Sequence, residues 1–126
     1  MPRTISTDGA PAAVGAYSQA TRSGDLVFNA GQIPLTPEGG DLTGEPPAIQ
    51  ARQCLENLAS VLEAADSGLE HVLKTTIYLA DVRDYDEVNE AYSEFFDTEP
   101  PARSAVGVAA LPKGAAVEIE AIAETA

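Results

Sequence analysis

A chain of 126 residues fits one compact domain, residues 1–126, and leaves no room for a second folding unit. Apolar residues make up 44% of it, which excludes a chain kept disordered by charge. A net charge of −13 without a basic stripe counts against nucleic acid as a partner, while one cysteine and one histidine exclude an internal disulfide and a zinc site of the usual ligands. No metal or cofactor is expected. Of the basic residues only Lys74 and Lys113 are lysines, and carboxylates in such excess suit the cytoplasm of a salt-loving organism. The segment 1–9 lacks the apolar core of a signal peptide, and no apolar run is long enough to span a bilayer, so a cytoplasmic protein without membrane contact is expected.

In chain order, residues 17–22 and 26–30 read as two strands joined by the turn-prone Ser23, Gly24 and Asp25. Residues 34–47, rich in proline and glycine, read as a loop. From Ala48, apolar residues recur at Ala51, Cys54, Leu55, Leu58, Val61, Leu62 and Ala65, the spacing of a one-sided helix that Pro46 and Pro47 start and Gly68 stops. Residues 71–80 carry apolar side chains on both parities, as a strand covered on both faces does. Asp84 and Glu87 resemble a capping box opening a second helix, whose stripe Tyr85, Val88, Tyr92, Phe95 and Phe96 reads as core and ends before Pro100. Two last strands, 102–109 and 115–123, flank Leu111, Pro112, Lys113 and Gly114. The expected order is ββαβαββ, an α+β fold with both helices on one sheet face. The other face is left for a second subunit.

Few polar residues sit where they are awkward. Arg103 opens an apolar strand, and Glu118 and Glu120 interrupt the next, projecting the same way about 7 Å apart. A hairpin near Pro112 brings that pair back toward Arg103. This constellation fits two things: a plain Arg103–Glu120 ion pair, or a site where a guanidinium grips a carboxylate and a glutamate handles water. The glutamate spacing also matches the carboxyls of an inverting glycosidase, about 6.5–9.5 Å apart, but there is no tryptophan for a sugar platform. Gly31 permits a turn or a ligand's close approach to the backbone. Tyr17, Asn89, His71 and Cys54 each have an ordinary structural reading.

Taken together, the segments 10–19 (APAAVGAYSQ), 30–34 (AGQIP), 50–53 (QARQ), 72–76 (VLKTT), 88–92 (VNEAY), 101–104 (PARS) and 117–123 (VEIEAIA) resemble, in order, the blocks of the RidA/YjgF family. The resemblance implies a chorismate-mutase-like subunit in a homotrimer with sites between neighbouring subunits. It implies hydrolytic deamination of enamines and imines such as 2-aminoacrylate, 2-iminobutanoate and 2-iminopropanoate to 2-keto acids and ammonia. Arg103 would clamp the substrate carboxylate and Glu120 would position water, with Tyr17, Gly31, Asn89 and Ala105 lining the pocket. Two positions depart from many deaminases of the family, Ala105 where they have cysteine and Ala30 where they have serine. The family also holds members described as ribonucleases or stress-linked binding proteins. An endoribonuclease or translation inhibitor, and a keto-acid-binding or holdase module, are therefore the competing readings.

Overall fold

A computed structural model describes residues 2–126; Met1, at the head of the polar lead, lies outside them. The elements are β1 (Arg3–Ile5), β2 (Ala20–Ser23), β3 (Leu26–Gln32), α1 (Pro47–Ala64), β4 (Val72–Leu79), α2 (Tyr85–Ser93), β5 (Ala102–Gly107) and β6 (Val117–Glu124). They form one six-stranded sheet in the order β1-β2-β3-β6-β4-β5, with β4 and β5 parallel and every other pair antiparallel. No helix among the described residues is long and apolar enough to cross a membrane.

The mixed sheet with two helices agrees with the expected class, but the strand order does not. The expected β5–β6 hairpin is absent. The crossover through α2 lays β5 parallel to β4, as a helical connection requires, and β6 then inserts between β3 and β4. The polar lead also supplies an extra strand, β1, paired with β2. Conversely, Tyr17, Ser18 and Gln19 precede β2 instead of opening it.

Alternation explains the central strand. Val117, Ile119, Ala121 and Ala123 of β6 are buried and Glu118, Glu120 and Ile122 are half-buried on the other face. In β4 the same division sets buried Thr75, Ile77 and Leu79 against half-buried Lys74, Thr76 and Tyr78, so this strand is fully covered on one face where coverage of both was expected. The stripe of α1 buries Ala51, Cys54, Leu55, Leu58, Val61 and Leu62 against that covered face. Burying each leucine contributes about 1.5–3 kcal/mol. Leu26, Phe28 and Val106 remain exposed.

Helix ends depart from the expected signals in two places. The chain enters α2 through a 3-10 turn, Val82–Asp84, whose cap is Asp81, accepting from the Arg83 amide at 2.9 Å. Asp84 is already helical and makes no side-chain cap; Glu87 instead accepts from the Ala48 amide at 2.9 Å, capping α1, which proline leaves without a capping side chain. At the far end α1 stops at a left-handed Asp66 (φ 61°), ahead of Gly68. Helix α2 ends at Ser93, and Phe96 beyond it still packs on Tyr92, ring centroids 4.7 Å apart.

The segment leading to β2 has no regular structure, so side chains hold it. Gln19, 3% exposed, accepts from the Thr7 amide at 2.7 Å and donates to the carbonyls of Thr7 at 3.1 Å and Pro11 at 2.8 Å. Gln19→Ala strands these groups where water reaches them poorly, and is expected to cost about 2–4 kcal/mol. Urea titration checks this: the midpoint falls while the slope is kept.

Candidate active site in two halves

Two polar constellations lie on opposite sides of the sheet. The first is built on α2 and β5. Arg103 pairs in register with Thr75, whose side chain lies under the helices, so the guanidinium projects toward α2. There Nη1 donates to Asn89 Oδ1 at 2.7 Å and Nη2 donates to the Tyr85 hydroxyl. The guanidinium carbon stands 4.9 Å from the centre of the Tyr92 ring and 5.5 Å from that of Tyr85. Tyr92 is steadied by a 2.7 Å hydrogen bond to Thr75 Oγ1, and burial pushes its phenol up despite that bond and the nearby cation.

No carboxylate neutralises this cation: the salt bridges among the described residues join Arg22–Asp66, Arg52–Glu94, His71–Glu70 and Arg83–Asp81. A half-buried guanidinium on an aromatic shelf, held by neutral oxygens, keeps donors for a planar anion. A recess of about 400 Å³ opens beside it, lined by Arg103, Asn89, Tyr92 and Phe96. Ala105, one step along the same face, packs against the core and lines neither recess.

The second half is a cleft of about 580 Å³ lined by Tyr17, Ala30, Gly31, Ile33, Lys113 and Glu118. Strand β3 slips register against β6 between Asn29 and Gln32, and a side chain at Gly31 would overlap the Glu118 carboxylate. Glycine there lets Glu118 lie against the strand backbone. Burial first, and then the charge of Glu120, hold the Glu118 carboxyl above the usual carboxylate range. Tyr17 is 55% exposed and Val14 beside it 84%, so the cleft has an uncovered apolar wall.

The expected meeting of Arg103 with Glu120 does not occur within one chain. Arg103 is level with Thr75 and Glu120 with Thr76, and adjacent residues of β4 face opposite ways. The ion pair is therefore absent and the hairpin argument fails. Asn89 does join Arg103, and Tyr17 and Gly31 do share a cleft. The carboxylate in that cleft is Glu118; Glu120 lies two residues along the same face, outside the lining. Tyr85, Tyr92 and Lys113 were not expected in either half. Tyr85, Asn89 and Tyr92 stand four and three apart on α2, a spacing that puts them on one helix face. Cys54 and His71 are in ordinary places: Cys54 is buried with Sγ 3.8 Å from the Val117 carbonyl, its thiol driven far up by burial, and His71 closes a 3-10 turn.

The family model described as Endoribonuclease L-PSP matches residues 7–125. The 2-iminobutanoate/2-iminopropanoate deaminase of Rattus norvegicus is 48% identical over 96% of this chain and 88% of its own length. Among solved structures, yeast Mmf1 superposes with a TM-score of 0.96 at 36% identity, covering both chains completely. E. coli TdcF with bound serine gives a TM-score of 0.93 at 39% identity, covering 98% of this chain and 99% of that one.

Proposed function

Because the chain belongs to the RidA/YjgF family, the family of the L-PSP model, we propose that it is a hydrolytic deaminase of reactive enamines and imines such as 2-aminoacrylate, 2-iminobutanoate and 2-iminopropanoate. The observation that carries this reading is the Arg103 guanidinium, fixed by Asn89 and Tyr85 and left without a carboxylate. A small 2-imino acid supplies that carboxylate. A relative named as a 2-iminobutanoate/2-iminopropanoate deaminase at 48% identity supports the substrate class.

The two half-sites of one chain point away from each other, so the working site joins Arg103 of one copy to the cleft of a neighbour. We take the assembly to be a homotrimer. The exposed Phe28 and Leu26, with Ile122 beside them on the open sheet face, supply apolar surface for it. In that site Glu118 takes the water-handling role expected of Glu120, because Glu118 is the carboxylate in the cleft. Arg103 holds the substrate carboxylate; water adds to the iminium carbon as Glu118 accepts its proton. The π electrons move to nitrogen, and the carbinolamine, reprotonated there, expels ammonia as the carbonyl forms. An iminium is already electrophilic, so positioning and one proton carrier suffice. Ala30 leaves the cleft wall small, affecting which imine fits best.

An RNA strand would have to approach a chain of net charge −13, which counts against the ribonuclease reading. A non-catalytic keto-acid binder would use Arg103 without turnover. The acidic surface suits a cytosol rich in salt, so assays belong at high as well as low ionic strength. The test is release of 2-oxobutanoate and ammonia from freshly generated 2-iminobutanoate, run beside a labelled single-stranded RNA. Accelerated imine hydrolysis with intact RNA is the expected result. Cleaved RNA with no acceleration would overturn the reading.

A further inference from the structure

We propose that Glu120 is a positioning residue that acts through Glu118, making Glu118 the group that carries the reaction's proton from water to the departing nitrogen. The proposal rests on the deaminase reading above. It starts from a chemical difficulty: one carboxylate must accept a proton in the addition step and return it in the elimination step. An ordinary glutamate, ionised in neutral solution, performs the first task and is a poor agent of the second.

The surroundings of Glu118 address that difficulty. Glu120 lies two positions along β6 on the same face, about 7 Å away by strand geometry. Across the ladder, Tyr78 pairs in register with Glu118 and Thr76 with Glu120. Burial and, after it, the adjoining Glu120 and Glu118 carboxylates push the Tyr78 phenol up, so it adds no charge of its own to this face. The Glu120 carboxylate favours the proton on Glu118. Other groups facing Glu118 do not cancel this. Lys113 stands across the cleft but is exposed to water, Tyr17 is a phenol, and Cys54 of α1 is a buried thiol. Arg103 of the same chain faces away, on the helix side, and the Arg103 that a neighbouring copy brings to the cleft is paired with the substrate carboxylate during the reaction.

In the cycle that results, the C–O bond forms as ionised Glu118 takes a proton from water and the C=N π pair moves to nitrogen. Protonated Glu118 then gives that proton to the amino group. The C–N bond breaks with its pair on nitrogen, the carbinolamine oxygen forms the carbonyl, and its proton leaves to the ionised carboxylate. Glu118 hands that last proton to the released ammonia, so iminium and water become keto acid and ammonium and Glu118 is ionised again. Glu120 never touches the substrate.

The test is the pH dependence of kcat and KM for 2-iminobutanoate with wild type and the Glu118→Gln, Glu120→Gln and Glu120→Asp variants, their folding checked by circular dichroism. With Glu120→Gln, the limb assigned to Glu118 is expected to move to lower pH. At neutral pH kcat falls roughly tenfold, a fraction of the 10²–10⁴-fold that a matched proton carrier contributes, while KM stays within about twofold. Glu120→Asp restores the limb. An active wild type whose profile is unchanged in folded Glu120→Gln would overturn the proposal. So would loss of turnover in Glu120→Gln with Glu118→Gln still active. An inactive wild type would instead defeat the deaminase reading itself.

Discussion

Replacing Arg103 by alanine is expected to lower kcat/KM for 2-iminobutanoate by about 10²–10⁴-fold, because two hydrogen bonds from a cation to the substrate carboxylate are lost at about 1.5–3 kcal/mol each. Affinity for the product 2-oxobutanoate should fall with it, since the keto acid carries the same carboxylate. The fold should hardly notice. Removing the guanidinium forfeits its contacts over Tyr85 and Tyr92, worth about 0.5–2 kcal/mol, but also relieves a half-buried cation that no carboxylate compensates. Arg103→Lys keeps the charge without the planar fork that reaches Asn89 and Tyr85 together, so an intermediate rate is expected. Initial rates over a substrate series, with a melting curve for each variant, check all three statements.

Glu118→Gln is expected to abolish turnover and stabilise the fold, both from one cause. The wild-type carboxyl is held above its ordinary value of 4.5 by burial and then by Glu120, so the folded chain favours the protonated form. The stability this confers is fully present below the unfolded value and is lost as pH rises through the folded one. Near neutral pH the ionised Glu118 is a net cost to the fold. Glutamine keeps the shape and never ionises, so Tm of the variant should exceed wild type at about pH 7.5 and match it at about pH 3.5. Catalysis should fall about 10²–10⁴-fold, as the proton carrier is gone. A variant no more stable than wild type at neutral pH would mean that the carboxylate is better solvated than its place beside Gly31 implies.

What could be read from sequence divides along the range of the interactions. The α1 stripe and the alternation in β6 are local periodicities and both appear in the fold. Strand β1 is three residues long and polar at two of them, too short to carry a period. That β6 runs between β3 and β4 depends on where a crossover helix lands, which no local pattern encodes. Without that order, local pattern places Arg103 beside Glu120, and the sheet separates them. The choice between Glu118 and Glu120 is of the same kind. Both share a face, and only the slipped register of β3, which sets Gly31 against Glu118, distinguishes them. Asn89 shows the reverse: it reads as a solvated helix residue, but its i+3 and i−4 neighbours Tyr92 and Tyr85 place it with Arg103.

The central claim is that imine hydrolysis needs the Arg103 half-site of one copy and the Glu118 half-site of another. Its most direct test mixes two inactive variants, Arg103→Ala and Glu118→Gln, unfolds and refolds them together in equal amounts, and measures 2-oxobutanoate release from 2-iminobutanoate. Random assembly into closed rings pairs an intact arginine with an intact glutamate at about one site in four, so about a quarter of wild-type activity should return while each variant alone stays inactive. Mixed assemblies that form and remain as inactive as their parents would contradict the shared site.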